Sequence, residues 1–383
     1  MRIGFDVSAT CEEKTGCTWY ADSLIRAMVK HHPEHSYVLY HQFGGICSER
    51  AARGTKLTGD NVSQPFLESS VREGKQAWSA VAKGRRPAGD PDIVQANFFE
   101  CPRITNTPIV YAVYDMTFWM CPEFLTRNHI SSCARGMFDG ITNASGFIFI
   151  SDHTLREFEK VFPKWLDRTR TPHRVTHLAA RERDEGAVME PVFGQGYWLF
   201  VGSVEPRKNL IALLEAHDAY WARAKNPRKL VLTGSRGWCS DHIHKEISAR
   251  QDRGTVTYTG YVPESQMESL YANAFAVVYP SYYEGFGLPI LEAMSRGVPV
   301  ICSRATSHPE VGGDAVDYFD PWSPSELAER MLALERDDTK REWLATAGKQ
   351  RAAQFSWQRV ADETISFYDE VIESWHRKSA VPV

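Results

Sequence analysis

The fold is decided by the stretch Tyr283-Glu284-Gly285-Phe286-Gly287-Leu288-Pro289-Ile290-Leu291-Glu292, in which a glycine-rich turn leads into a helical pattern. Short apolar runs at 231–235 and 276–279 precede it and are typical of buried parallel strands. A strand, a glycine turn and a helix start together form an anion site, because free amides and the positive helix end point at the ligand. Glu284 opposes anion binding in such a loop, so its presence needs another reason.

The bulk properties indicate a two-domain cytoplasmic protein. The chain of 383 residues suits two domains of roughly 150–200 residues each. Its net charge of −4 gives no support for a nucleic-acid partner. Eight cysteines without a Cys-x-x-Cys pair favour reduced thiols. The N-terminus lacks the apolar core of a signal peptide, and no apolar run approaches the ~20 residues of a membrane helix.

Strand-like and helical patterns alternate along the whole chain, which predicts an α/β protein. We expect two Rossmann-like domains, each with a doubly wound parallel sheet, facing across a cleft that holds the ligand. The charged segment 181–186 is the predicted linker and sets the domains at 1–185 and 186–355. Residues 356–383 are expected to form a helix that packs back on the first domain. The predicted strands are 2–8, 36–42, 92–97, 108–115, 147–151, 173–179, 197–203, 229–235, 256–260, 275–280 and 298–302. The predicted helices are 18–30, 123–140, 152–162, 208–223, 240–252, 263–273, 288–296 and 323–336.

A second candidate phosphate site follows the strand pattern 197–203, at Glu205-Pro206-Arg207-Lys208-Asn209. Two cations at the start of a helix are unfavourable, because the helix dipole prefers anions there. A bound diphosphate would reverse this balance, with about 1.5–3 kcal/mol from each charge-assisted hydrogen bond. The alternative is a solvated loop whose cations pair with Glu205. Together with the 284–292 loop, the phosphate interpretation is favoured.

These segments resemble glycosyltransferase family 4, a family of retaining, nucleotide-sugar-dependent enzymes with the GT-B fold. The resemblance keeps the family's order and spacing from about residue 197 to 321, and the first half of the chain matches weakly. The motifs that carry it are Glu205-Pro206-Arg207-Lys208-Asn209, Gly260-Tyr261-Val262, Glu284-Gly285-Phe286-Gly287-Leu288-Pro289 with Glu292, Gly297-Val298-Pro299-Val300 and Pro309-Glu310-Val311-Gly312-Gly313-Asp314-Ala315.

The resemblance implies roles for residues of the second half. Arg207 and Lys208 would hold the donor diphosphate. Glu292 would accept hydrogen bonds from the donor ribose, and Glu284 would lie against the sugar as a weak nucleophile or an electrostatic stabiliser. The alternatives are a helix-surface residue for Glu292 and a cap of its own turn for Glu284. Main-chain amides for the sugar and phosphate would come from Gly285, Phe286, Gly287 and Leu288, and the base would be bordered by Ser235, Tyr261 and Val262.

The first half offers weaker candidates. Asp115 ends a strand pattern and would orient the acceptor or the transferring sugar; the alternative is a helix cap. It follows Tyr114, where the family often has histidine. Gly16 lies where the family carries a glycine-rich turn that closes on the diphosphate.

Segment 71–86 places three apolar residues among five cations. It is either a basic amphipathic element that touches anionic lipid or a lipid-diphosphate acceptor, or a solvated helix in a variable loop, and we favour the solvated helix. Asp90-Pro91-Asp92 has the form of a metal-binding motif, but a turn and a strand start explain it. The GT-B pattern supplies cations in place of a metal, so the resemblance implies no metal and no cofactor beyond the nucleotide sugar.

The sequence thus predicts a retaining, metal-independent hexosyltransferase of surface polysaccharide (lipopolysaccharide) biosynthesis. The donor favoured by the resemblance is GDP-mannose, and the acceptor is a saccharide or a lipid-linked saccharide. The predicted location is the cytoplasm, with the inner face of the membrane as a peripheral site. The alternatives are a nucleotide-sugar epimerase on the same fold and a non-catalytic nucleotide-sugar-binding protein. The second is supported by two departures from the family pattern, at Tyr114 and at Ser203, where many relatives have arginine.

Overall fold

A computed structural model describes residues 1–11, 16–182 and 193–379. The chain divides into two compact units. The first contains residues 1–119, 127–178 and the chain from 356 onward, and the second contains 120–126 and 179–355. The predicted boundary between residues 185 and 186, and most of the predicted linker, lie outside the described residues.

Each unit has one sheet of parallel strands, and the central strands of each sheet are almost wholly buried. The seven strands of the first are β1 (Arg2–Asp6), β2 (Ser36–Tyr40), β3 (Val62–Ser63), β4 (Ile93–Ala96), β5 (Ile109–Val113), β6 (Gly146–Phe149) and β7 (His173–Val175), in the order β3-β2-β1-β4-β5-β6-β7. The six strands of the second are β8 (Tyr197–Val201), β9 (Leu230–Thr233), β10 (Val256–Tyr258), β11 (Ala274–Tyr279), β12 (Val300–Ser303) and β13 (Asp317–Phe319), in the order β10-β9-β8-β11-β12-β13.

Helices lie between most successive strands in both units, whereas no helix lies between β4 and β5 and only a short 3-10 turn lies between β2 and β3. They are α1 (Gly16–His31), α2 (Val71–Ala82), α3 (Thr117–Met120), α4 (Arg127–Asn143), α5 (Asp152–Val161), α6 (Trp165–Thr169), α7 (Leu210–Trp221), α8 (Asp241–Asp252), α9 (Glu264–Ala272), α10 (Leu288–Ser295), α11 (His308–Gly312), α12 (Pro324–Arg336), α13 (Asp338–Ala352) and α14 (Trp357–Ser379). Continuous apolar runs form the strands because both faces of each sheet are covered. The predicted α/β class with two doubly wound parallel sheets is confirmed.

The order of the strands reverses at one point in each sheet. In the first sheet this point lies between β1 and β4, and in the second it lies between β8 and β11. Loops that leave the carboxyl ends of the two central strands diverge there, which opens a crevice for ligands. The loops after Val201 and Tyr279 therefore occupy the position where this architecture binds substrates.

The last helix belongs to the first unit. Phe367 and Val371 of α14 lie against the start of β6, where a Cβ added at Gly146 would be 2.6 Å from the Val371 side chain. Tyr368 is fully buried and donates a hydrogen bond to Gln95 of β4. This helix thus supplies part of the core of the unit that contains the chain start.

Segment 71–86 forms α2 at residues 71–82, and its apolar side faces inward. Trp78 is 5% exposed, donates from Nε1 to the Gln42 carbonyl oxygen at 2.7 Å, and packs edge-on against Tyr40 and Phe43. The largest apolar side chain of the segment is therefore part of the core, and the choice between the solvated helix and the lipid contact stays a prediction. No helix in the described part of the chain is both long enough and apolar enough to cross a bilayer.

Several sequence expectations differ from the structure. The predicted helix 123–140 begins only at Arg127, because Pro122–Phe124 form a separate 3-10 turn. The strand expected at 173–179 ends at Val175. Strand β13 and helix α13 were not predicted. Helix α13 buries little besides Leu344, Gly348 and Ala352, so its apolar pattern is too thin to detect.

Candidate functional site

The loops after β8 and β9 approach each other through two glycines. A Cβ added at Gly234 would lie 2.0 Å from the carbonyl oxygen of Gly202, and Gly234 has φ of +141°. A side chain at this position is therefore excluded by both space and backbone conformation. This close approach fixes the start of the loop that carries Arg207 and Lys208.

Lys208 and Arg207 meet Glu284 beside the carboxyl ends of β8 and β11. Lys208 Nζ donates to Glu284 Oε1 at 2.6 Å and to the hydroxyl of Tyr279 at 2.7 Å. An Arg207 nitrogen lies 2.8 Å from Glu284 Oε2, and the same guanidinium donates to Glu205 Oε1 at 2.6 Å. Two sequence segments that lie about 76 positions apart thus form one buried charge cluster.

The cluster holds Glu284 ionised. Burial by itself would raise the pKa of this carboxyl, but Arg207 and Lys208 outweigh burial and hold the pKa well below its usual range. Glu284 is only 7% exposed, and Lys208 is equally buried. Glu284 is therefore the counter-ion of the two cations that the resemblance assigns to a diphosphate.

The backbone around Glu284 is fixed by the loop that follows β12. Thr306 Oγ1 accepts a hydrogen bond from the Glu284 amide at 3.1 Å. Ser307 Oγ is within hydrogen-bond distance of the carbonyl oxygens of Glu284 and Phe286, at 3.1 and 2.7 Å. Gly287 has φ of +107° and immediately precedes α10. Only glycine adopts this conformation readily, so the turn can deliver the first amides of α10 toward the cluster.

Glu292 lies in α10 and is 2% exposed. The Arg181 guanidinium binds both of its oxygens, with Nη2 at 2.7 Å from Oε2, and Tyr271 donates its hydroxyl to Oε2 at 2.7 Å. Burial raises the pKa of Glu292, but Arg181 more than offsets this, so the pKa lies below its ordinary value. The alternative of a partly exposed helix residue is wrong. Three of the roughly four acceptor positions of the Glu292 carboxylate are occupied, two of them by Arg181.

The residues that the resemblance assigns to the base follow β9 and β10. These strands lie on the β8 side of the point where the strand order reverses. Ser235 follows β9, and its carbonyl oxygen accepts from the Val204 amide at 2.9 Å. Tyr261 and Val262 follow β10, with Tyr261 48% exposed and Val262 buried. These side chains line the same carboxyl edge of the sheet as the charge cluster, toward the β10 side.

The candidates of the first half lie in the first unit. Asp115 follows β5, and its Oδ1 accepts from the amide of Thr117, the first residue of α3, at 2.9 Å. Its catalytic role stays a prediction. Tyr114 is buried and packs edge-on against Tyr20 at 5.4 Å. Gly16 begins α1, and a Cβ there would meet no atom within 4 Å among the described residues.

Sequence reasoning missed four residues that shape the site. Arg181 was assigned to the linker, Tyr279 to a strand, and Thr306 and Ser307 to no role. Each acts through a contact between residues distant in sequence, so no local pattern marks it. The only available signal was the arginine at 181, a strong hydrogen-bond donor whose partner the sequence does not reveal.

Comparisons with known proteins identify the family to which the chain belongs. The family described as "Glycosyl transferases group 1" matches residues 192–351. The O-antigen chain mannosyltransferase B of Escherichia coli is 35% identical over 386 residues, covering 96% of this chain and 99% of that protein. Two solved structures share the fold. Sucrose-phosphate synthase from Thermosynechococcus elongatus has a TM-score of 0.69 at 17% identity, covering 97% of this chain and 99% of that chain. WaaG, a glycosyltransferase involved in lipopolysaccharide biosynthesis, has a TM-score of 0.66 at 15% identity, covering 96% and 99%. The chain belongs to the glycosyl transferases group 1 family and is a glycosyltransferase with the GT-B fold.

Proposed function

We propose that this glycosyltransferase moves mannose from GDP-mannose to a saccharide or lipid-linked saccharide acceptor, with retained anomeric configuration, in the synthesis of a surface polysaccharide. The choice of mannose is supported by the similarity to the mannosyltransferase of Escherichia coli over nearly its whole length. The observation that carries the proposal is the burial of one carboxylate, Glu284, between the two cations Arg207 and Lys208.

The cations act on the leaving group. As the bond between the anomeric carbon and the phosphate oxygen breaks, its electron pair passes to the diphosphate, which accumulates negative charge. Arg207, Lys208 and the first amides of α10 stabilise this charge where it develops. Because the two side chains supply two positive charges, we propose that transfer proceeds without a metal.

The acceptor enters on the face that the diphosphate leaves. The acceptor oxygen forms a bond to the anomeric carbon, and its proton passes to the departing phosphate oxygen, so no separate strong base is required. Glu284 lies beside the cations and stabilises the positive charge that develops on the sugar. Asp115 is proposed to orient the acceptor or the transferring sugar, and Glu292 to bind the donor ribose once Arg181 has moved.

The test is transfer in vitro. Purified protein is incubated in EDTA with GDP-mannose and manno-oligosaccharides, and the products are identified by mass and by the anomeric coupling in NMR spectra. Glu284→Gln is expected to slow transfer roughly 10²–10³-fold, since removal of one transition-state contact typically costs about 2.7–4 kcal/mol. Glu329→Gln, at a solvent-exposed position of α12, is the matched control.

Three outcomes would contradict the proposal. The first is an inverted anomeric product, and the second is transfer that requires an added metal. The third is a sugar that changes configuration without any acceptor, which would favour an epimerase. Parallel incubations with UDP-hexoses and dTDP-rhamnose test the choice of donor.

A further inference from the structure

Three aromatic side chains form a continuous stack at the surface of the second unit. Phe124 and Tyr282 are parallel, with ring centroids 5.6 Å apart and an interplanar angle of 6°. Trp322 packs on Tyr282 with centroids 4.3 Å apart. Trp322 is 72% exposed, more than any other large apolar side chain in the described part of the chain. We call Phe124, Tyr282 and Trp322 the aromatic stack.

The aromatic stack is joined to the charge cluster through the backbone. The amide of Tyr282 donates to the carbonyl oxygen of Arg207 at 2.9 Å, and Tyr282 lies two positions before Glu284. Asn209 Nδ2 donates to the carbonyl oxygens of Pro280 and Pro321, at 3.1 and 2.8 Å. A single buried side chain thus ties together the two loops that carry Tyr282 and Trp322.

The outer ends of the stack are also held. Trp238 Nε1 donates to the carbonyl oxygen of Phe124 at 2.8 Å, and the Trp322 amide donates to Asp320 Oδ1 at 3.0 Å. The rings are therefore oriented before any ligand binds, which reduces the entropy that binding would cost.

The exposed end of the aromatic stack, Trp322, does not lie on the side assigned to the base. Trp322 follows β13 and Tyr261 follows β10, and these strands are the two edges of the sheet. Five steps of about 4.8 Å separate the edges by about 24 Å. The charge cluster lies between them, after β8 and β11. A ligand that packs on Trp322 thus extends from the diphosphate in the direction opposite to the base.

The chemistry of the surface favours a neutral sugar. Aromatic faces are partially negative and pack on the polarised C–H faces of pyranose rings. The exposed carboxylate of Asp320 lies beside Trp322 and can accept hydrogen bonds from sugar hydroxyls. Burial and the exposed carboxylate of Glu215 both raise the pKa of Tyr282. Carboxylates at these positions would repel an anionic lipid surface.

We infer that the aromatic stack is an acceptor subsite that binds a pyranose ring of the saccharide, at a unit beyond the one that receives the new sugar. The inference rests on the proposed function, because it takes the acceptor to be a saccharide. A chain acceptor that is long enough to reach Trp322 binds more tightly than a short one.

The experiment compares Trp322→Ala with Trp343→Ala. Trp343 is 54% exposed on α13 of the same unit and has no part in the stack, so it controls for the loss of an exposed indole. Binding of mannopentaose and mannobiose is measured by saturation-transfer NMR with GDP present, and KM is measured for both saccharides and for GDP-mannose. Trp322→Phe tests whether a smaller ring restores binding.

Trp322→Ala is expected to raise the KM for mannopentaose roughly two- to tenfold and to leave the KM for GDP-mannose unchanged. Saturation transfer to mannopentaose should fall with this variant, persist with Trp343→Ala and return in part with Trp322→Phe. Equal behaviour of the two alanine variants would overturn the subsite. The subsite would also be overturned if Trp322→Ala lost binding to anionic phospholipid vesicles while its binding of saccharides stayed intact. The NMR measurement needs no turnover, so failure of transfer and failure of the subsite are distinguishable.

Discussion

Replacement of Lys208 by methionine tests whether the charge cluster is the diphosphate site. Methionine keeps most of the buried length of the side chain and removes only the ammonium group, which donates to Glu284 and Tyr279 at 2.6 and 2.7 Å. Glu284 retains Arg207 at 2.8 Å, so its carboxylate stays paired. The folded protein should therefore survive the change.

The expected loss is one charge-assisted hydrogen bond to the diphosphate. Such a bond contributes about 1.5–3 kcal/mol, so the dissociation constant for GDP should rise roughly 10- to 150-fold. At a GDP concentration of 100 times the wild-type dissociation constant, the wild type gains about 2.7 kcal/mol of stability. A variant that binds 30-fold more weakly gains only about 0.9 kcal/mol at that concentration.

Isothermal titration calorimetry measures the affinity, and urea denaturation with and without GDP measures the gain in stability. Lys340→Met is the matched control, since Lys340 pairs with the buried Asp317 at 2.5 Å in the same unit but far along the chain from the cluster. If Lys208→Met binds GDP as tightly as Lys340→Met does, the ammonium group does not contact the diphosphate and the assignment of the site is wrong.

Further predictions concern stability. The pKa of Glu284 is lowered in the folded protein, so its stabilising effect is full above the ordinary value of 4.5 and is lost as the pH falls below it. Glu284→Gln should cost about 3–5 kcal/mol at pH 7, and the difference from wild type in urea denaturation should shrink in acid; a constant difference would contradict the ion pair. Arg181→Ala should cost a similar amount, by leaving Glu292 with fewer partners, yet calorimetry should find GDP binding no weaker, because the ribose no longer competes with Arg181. Gly234→Ala should cost about 3 kcal/mol, against about 1 kcal/mol for Gly254→Ala, whose φ is also positive but whose added Cβ meets no described atom within 4 Å; equal losses of Tm would refute the steric argument.

Local patterns predicted most elements of the second unit closely, although β13 and α13 were missed. Helix α10 was expected at 288–296 and runs from Leu288 to Ser295. The apolar run of β11 and the glycine turn at Gly287 are local signals, and they fix where a strand ends and a helix begins. Lengths were less well predicted, as at β7, because apolar residues continue past the last ladder hydrogen bond.

The sequence by itself determined the alternation of strands and helices, the carboxyl-end position of the loops, and the residue types that can hold a diphosphate. These features follow from the periodicity and composition of short segments, which are local properties of the chain in any conformation. Only the tertiary structure decided that Glu284 neutralises Arg207 and Lys208, and that Arg181 forms an ion pair with Glu292. Those pairings depend on which strands lie next to each other, and burial then makes the charges interact far more strongly than they would in water.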